Sequence, residues 1–462
     1  MAIKSCYNFT MKMLEIFENK REILLFLLFA LSVFILNLGF CYKDFYEFKS
    51  QKYRFYNAQI LQNYEKTNTK GRIYRVLRLK TSEFEFYTTI KKDFEFGNAK
   101  TLNIGVITQN VKFIDFVKKR FYMPSFKIKP KFENSINSIN SANSKNSPNS
   151  EQNSTHSLQN SPNLKNKFAN LKQNAINFIT SQHQNSKMQE LYSALYFATP
   201  ISKELRANVT NWGIAHIIAI SGFHLGIIFG ICFFIFKPVY KFFQKRYFPY
   251  RSVNFDISIF VFILMSFYLL VLDFTPSFLR SLAMAFVGFF LLMRNFKIIN
   301  FATLFITIAF LIALFPHLAF SIGFYFSCMG VLFIFIYVKH FKDKFGLLAH
   351  LIFFNLFVWL CMNVPVYYFF ATLTPLQISV VPISYAFIIF YPLSVVLHIF
   401  GVGYIFDEYL LNFLEFSLSI YKAQIPLWLF VTANLSAILA IKFKNFALLC
   451  ALLGFLPIFF IV

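Results

Sequence analysis

Two histidines and a serine interrupt an otherwise apolar run: His216, Ser221 and His224 fall within nine residues of one another, followed by Gly226. The run continues to about Phe236, and about 20 apolar residues suffice to cross a bilayer. A charged side chain at membrane depth costs at least about 2.5 kcal/mol, so ionisable residues there point to a task. If 213–230 is one unbroken helix, a turn of about 100° per residue puts His216, Ile220 and His224 on one stripe, with Ser221 about 60° beyond it. Gly222, Gly226 and Gly230 then share another face, and their G-x-x-x-G spacing lets a neighbouring helix come close. One face packs while another presents polar groups. For a lone histidine the commoner role is a hydrogen bond inside the bundle; two on one stripe beside a serine make a functional surface an equal reading.

A second constellation is Thr275, Pro276, Ser277, Arg280 and Ser281. Proline suits the first turn of a helix, which leaves Arg280 about 6 Å inside the membrane. There it either snorkels to the interface or faces the bundle and holds an anion. Guanidinium stays charged and binds bidentately, so phosphate is a fitting partner. A metal centre needs three or four ligands, but His317, His340, His350 and His398 lie at or near helix ends, and no H-E-x-x-H or H-x-H-x-D-H cluster occurs. No metal and no other cofactor is expected. Ser221 near His224 raises a serine hydrolase, yet the chain has no G-x-S-x-G elbow, so no enzymatic activity is expected. Cys6, Cys41, Cys232, Cys328, Cys361 and Cys450 form no C-x-x-C pair and none lies in the long loop after Cys41.

The elements that must carry these residues are membrane helices. The chain is 57% hydrophobic and only 14% charged, against about 25% charged in a soluble domain. A first apolar segment, Ile23 to Phe40, has basic residues before it and no small-residue cleavage site, so it reads as a signal anchor. Further crossings are expected near 213–236, 255–272, 276–293, 298–315, 320–338, 346–363, 377–400, 427–441 and 446–462. Residues 404–421 carry Asp407, Glu408 and Glu415 and read as an interfacial or re-entrant helix. Between the anchor and the bundle, Arg72–Lys80 and Glu83–Ile90 alternate apolar and polar residues, with turn signals between them, as in a small β-barrel or sandwich. Tyr53, Phe55, Tyr74, Phe84, Phe86 and Tyr87 are its aromatics, more at home in a core than on a stacking surface. An Asn/Ser-rich tract at 132–165 reads as a disordered linker, and helical spacing returns over 166–210.

Charge orients the scheme. Lys4, Lys12, Lys20 and Arg21 hold the N-terminus in the cytoplasm, and Lys237, Lys241, Lys245, Arg246 and Arg251 mark the next cytoplasmic loop. Residues 42–210 are then exported; for Lys442 and Lys444 to stay inside, 404–421 must dip into or cross the membrane, leaving the C-terminus exported. The formal net charge is +24, and the stretch 42–131 alone holds 20 Lys+Arg against 8 Asp+Glu. A basic surplus on the exported side is not a topology signal; it suits a polyanion or an anionic lipid surface.

The order His216…Ser221-Gly222…His224, then Pro276-Ser277-x-x-Arg280, closely resembles the ComEC family of competence channels. Pro316-His317-Leu318 with Gly323…Ser327 is a third match, and Thr374-Pro375-Leu376 leading to Pro382 a weaker fourth. Phe315, Tyr325 and Val381 stand where the family pattern has Asp, Gln and Asn, so polar groups that would line or brace the pathway there are replaced. The resemblance implies a polytopic α-helical membrane protein of about 9–11 segments with a small exported β-rich domain of OB type. It divides the chain into the cytoplasmic N-terminus and anchor (1–41), the OB-like domain (42–131), the linker (132–165), a helical approach (166–210) and the channel domain (211–462). The implied function is an inner-membrane channel that brings single-stranded DNA into the cytoplasm during natural transformation. His216, Ser221, His224 and Arg280 would border the DNA path. A periplasmic DNA receptor, a cytoplasmic helicase-like motor and a separate nuclease are the implied partners, because no H-x-H-x-D-H nuclease motif is present. The rivals are a transporter or flippase for another anionic substrate and, more remotely, an intramembrane hydrolase. Within the linker, Glu151-Gln152-Asn153-Ser154-Thr155 matches an acidic-x-Asn-x-Ser/Thr glycosylation acceptor, which makes Asn153 a candidate for a glycan in a host with the transferase.

Overall fold

A computed structural model describes residues 20–67, 73–81, 84–90, 101–131, 162–272, 274–293, 301–342, 344 and 346–461. Asn153 lies outside the described residues. The chain forms two compact units, one of Phe26–Pro162 with Ile312–Ser321, the other of Met1–Leu25, Asn163–Leu311 and Ile322–Val462.

The first unit is built on helix α1 (Lys20–Ser50) and six strands: β1 (Tyr53–Thr67), β2 (Ile73–Lys80), β3 (Glu85–Ile90), β4 (Thr101–Ile107), β5 (Arg120–Tyr122) and β6 (Ser125–Lys131), with a short helix α2 (Phe113–Val117) before β5. The sheet order is β5-β3-β2-β1-β4-β6. The 15-residue β1 pairs antiparallel with β2 through its second half and with β4 through its first, bending at an irregularity between Ile60 and Gln62. β3 and β5 run parallel. Alternation sets the faces: Phe86, Thr88 and Ile90 of β3 are buried, as are Leu77 and Leu79 of β2 and Leu102, Ile104 and Val106 of β4. Phe48, in the last turn of α1, joins that core. Of the strand aromatics, Phe84 and Phe86 are core residues, whereas Tyr53 and Phe55 stay 53% and 58% exposed. A Cβ at Gly105 would lie 2.7 Å from Phe126 and 2.8 Å from Phe55, so the absence of a side chain lets these rings meet over β4. At the other end of the sheet Glu85 takes Arg78 at 2.7 Å and Arg120 at 3.1 Å.

The second unit is helical throughout its larger elements: α3 (Pro162–Thr180), α4 (Ser186–Phe197), α5 (Lys203–Asn211), α6 (Ala215–Ile218), α7 (Gly222–Tyr247), α8 (Val253–Val271), α9 (Pro276–Met293), α10 (Phe301–Leu314), α11 (Ile322–Phe341), α12 (Leu347–Phe369), α13 (Val380–Ile399), α14 (Asp407–Glu415), α15 (Leu427–Ala440) and α16 (Lys444–Leu453). Among the described residues six helical stretches are long and apolar enough to cross a membrane, including Arg21–Ser50, and four shorter apolar helices accompany them. The chain is thus a polytopic α-helical membrane protein with a small β-rich unit. The apolar side chains of α1 are largely bare, among them Leu25, Leu28, Ile35 and Leu36 at more than half exposure, as lipid-facing residues are.

Two sequence expectations are corrected. The crossing placed at 213–236 is a four-residue helix, a break, and then a span at 222–247. Helix α3 begins at Pro162, inside the tract read as linker to 165. Residues 404–421 hold a nine-residue helix, α14, about 14 Å long, too short to cross a core of about 30 Å as a helix and compatible with the interfacial or re-entrant reading.

Candidate functional site

The break between α6 and α7 organises the site. Ala219 is extended, with φ −67° and ψ 124°, and Ser221 caps α7 with φ −141° and ψ −177°. The Ser221 hydroxyl accepts from the Phe223 amide at 3.3 Å, and His224 Nδ1 accepts from the Ser221 amide at 3.3 Å, closing a reciprocal capping box. His216, Ser221 and His224 therefore share no helical stripe. His216 sits on α6 with Nδ1 held 3.1 Å from the Gly213 carbonyl, exposed; His224 is fully buried against Phe387 and Tyr391 of α13. With Nδ1 accepting, the proton of His224 is on Nε2, and that nitrogen is buried with no partner among the described residues. Ser221 lies 3.5 Å from His224 Nδ1, and both atoms take part in the cap.

Helix α9 is fastened to the break. Ser277, one residue past Pro276, donates to the Ile220 carbonyl at 2.7 Å, satisfying a backbone group that the break sets free. Gly222 lets Ser281 approach, since a Cβ there would lie 3.1 Å from the Ser281 oxygen. The expected glycine seam ends at that point: a Cβ at Gly226 or Gly230 would meet nothing within 4 Å, so no helix among the described residues packs closely there. One turn into α9, Arg280 is 8% exposed and does not snorkel. Its guanidinium lies against Gly323 of α11, where a Cβ would come 3.3 Å from one terminal nitrogen and 3.4 Å from the other. Its Nε has no partner among the described residues. Ser327, one turn beyond Gly323, is half-buried.

The fourth motif supports the break from the other side. Gly213 has φ +70°, and Gln377 packs over it, donating to the Thr210 and Thr372 carbonyls at 3.3 and 3.1 Å and accepting from Tyr367 at 2.5 Å. Thr374 donates to the Asn211 carbonyl. Tyr325, standing where a Gln was expected, remains a polar brace: its hydroxyl donates to Asn434 at 2.7 Å. Trp212 Nε1 is a further buried donor without a partner among the described residues, which sequence reading missed because an indole in an apolar run looks like core. The site thus offers buried donors, a guanidinium above all, without matching acceptors. That is the electrostatic opposite of a cation or metal site, and no group of three His, Cys, Asp or Glu positioned for a metal occurs among the described residues.

Residues 198–462 match the family described as "Competence protein". The chain belongs to the competence protein family. The matched range holds the broken helix, α9 with Arg280 and Gly323 of this competence protein, the motifs that carry the ComEC resemblance. Over 171 residues it is 31% identical to "Recombination protein 2" of Haemophilus influenzae, a match covering 35% of this chain and 20% of that protein. The competence protein therefore spans only a part of that relative. No solved structure matches it.

Proposed function

We propose that this competence protein is an inner-membrane channel that passes one strand of DNA from the periplasm to the cytoplasm during natural transformation. The observation that carries the reading is Arg280: a buried guanidinium in a membrane helix, beside a helix break and with Nε unpaired among the described residues, calls for a passing or bound anion. A phosphodiester strand supplies such anions at regular intervals. His224 Nε2 and Trp212 Nε1, both without a partner among the described residues, add donors to the same broken-helix region, and His216 and Ser221 flank it.

The β unit acts as the exported receiving domain and is of OB type. Support comes from its meander β1-β2-β3, extended on one side by β5 parallel to β3 and on the other by β4 antiparallel to β1. Tyr53 and Phe55 are among its exposed aromatics and would serve for stacking. A periplasmic DNA receptor delivers the duplex-derived strand, a helicase-like motor pulls it, and a separate nuclease degrades the other strand. Transformation of a deletion strain with labelled DNA tests the assignment. The expected result is protected DNA in the periplasm and none in the cytoplasm; normal transformation, or failure already at the outer membrane, overturns it. A flippase for another anionic substrate predicts normal DNA entry in the same strain.

A further inference from the structure

Away from the broken helix, a second buried polar cluster joins three elements far apart in sequence. His183, in the turn between α3 and α4, places Nδ1 2.9 Å from both oxygens of Asp407, the first residue of α14. Its Nε2 faces His398 Nε2 on α13 at 2.9 Å. His398 Nδ1 in turn lies 2.6 Å from the Ser394 carbonyl. Both histidines are 3% exposed. The neighbouring Gln182 ties the same two segments, donating to the His398 carbonyl at 3.0 Å and accepting from the Gly403 amide at 3.0 Å.

Counting protons fixes the charge. The carboxylate and the carbonyl only accept, so His183 Nδ1 and His398 Nδ1 must each carry a proton. The two facing Nε2 atoms need one more between them, or two lone pairs meet at 2.9 Å. Three protons on two imidazoles mean one imidazolium. Its place is His183, which has the carboxylate on one side and the Tyr192 ring stacked flat beneath it, centroids 4.6 Å apart at 10°.

We propose that His183, His398 and Asp407 form a proton-binding site, which holds one proton as a His183 imidazolium and clasps the α3–α4 turn to the end of α13. Release of that proton leaves two acceptors face to face, at Nε2 if His398 keeps its tautomer or at the Ser394 carbonyl if it switches. One contact of the clasp is then lost in either case. Among the described residues the other titratable groups facing the pair are the Tyr192 and Tyr196 phenols of α4, and burial pushes both hydroxyls well up, so they stay neutral. Ser394, Gln182 and Gly403 bring no charge. The His398 ring meets Tyr196, Tyr196 meets Tyr391, and Tyr391 meets His224, so the clasp is packed continuously onto the broken helix.

Hydrogen exchange on the full chain in lipid nanodiscs, followed by mass spectrometry from about pH 5 to about pH 9, tests the site. Protection of 178–190 and 394–412, corrected for intrinsic rate, is expected to fall in a single step as the pH rises. His398→Gln is expected to remove the step, because an amide can turn either its donor or its acceptor toward His183. Asp407→Asn removes the counter-charge and is expected to lower the protection of both segments at the acid end of the range. A flat wild-type profile, a wild-type step in His398→Gln, or wild-type protection of Asp407→Asn at the acid end overturns the proposal. Should His398→Gln fail to insert, His183→Gln poses the same question, and persistence of the step there is equally fatal.

Discussion

At the scale of single residues, the sequence marks His224 and Arg280 as unusual but does not fix how each is placed. Arg280 was balanced between snorkelling and facing inward, because depth along a helix does not fix azimuth; Gly323, about 40 residues later, decides it by leaving room for the guanidinium. Arg280→Ala is expected to keep the protein in the membrane while lowering DNA entry about 10- to 100-fold, since hydrogen bonds to charged groups contribute about 1.5–3 kcal/mol. Arg280→Lys should restore only part, because a point charge does not replace a planar fork. Cytoplasmic label counted at matched protein levels checks both. His183 was overlooked, since a histidine in a polar turn carries no pattern until Asp407 and His398 are folded onto it. Glu85 offers a test in the β unit. Burial alone would raise its carboxyl, but hydrogen bonds and charge from Arg78 and Arg120 outweigh it and hold the group below the usual carboxylate range. A lowered folded value means a stabilisation present above the ordinary carboxylate pKa, about 4.3, and lost as the pH falls through the folded one. Exchange protection of 73–90 should therefore drop on acidification below about pH 4. In Glu85→Gln it should be lower at neutral pH and flatter toward acid.

Among the elements, the strands and most spans were legible because their periods differ: alternation of two in β2 and β3, unbroken apolar runs in α8, α11 and α12. The break before α7 was not, since apolar residues continue across it and its capping box closes with His224 rather than the usual Glu or Gln. Helical phase computed through Ser221 consequently grouped residues that the fold separates. The glycine seam keeps its phase, since Gly222, Gly226 and Gly230 all lie within α7, but spacing does not say where a neighbour comes close, and only Gly222 meets Ser281. Gly226→Leu is expected to leave expression and insertion unchanged, because its Cβ position is open. Gly454→Ala should behave oppositely: a Cβ there would lie 2.1 Å from the Leu360 carbonyl oxygen, so α12 and the end of α16 would be forced apart. Yield and thermal stability of the detergent-extracted proteins distinguish the two.

For the whole molecule, composition alone separated a membrane bundle from a basic β unit, and the surplus of 20 Lys+Arg over 8 Asp+Glu in 42–131 remains the strongest long-range feature. If that surplus meets single-stranded DNA, binding of a labelled oligonucleotide to the full chain in nanodiscs should weaken steeply between about 50 and about 200 mM salt. Binding that ignores salt, or its absence at the low end, would remove the receiving role. The lengths of the helices carry a further consequence, a mechanical one. Helices α10 and α15 have 14 residues each, about 21 Å, against a hydrocarbon core of about 30 Å. Val431, Leu435 and Ile438 of α15 are all more than 40% exposed and so face acyl chains. If α15 lies across the bilayer, lipid at that flank has to thin to keep those side chains covered, at a cost of fractions of a kcal/mol per Å of mismatch. Such a pinch would shorten the distance a hydrophilic polymer has to travel, and it would make the protein sensitive to acyl-chain length, with short-chain bilayers relieving the strain and long-chain bilayers increasing it.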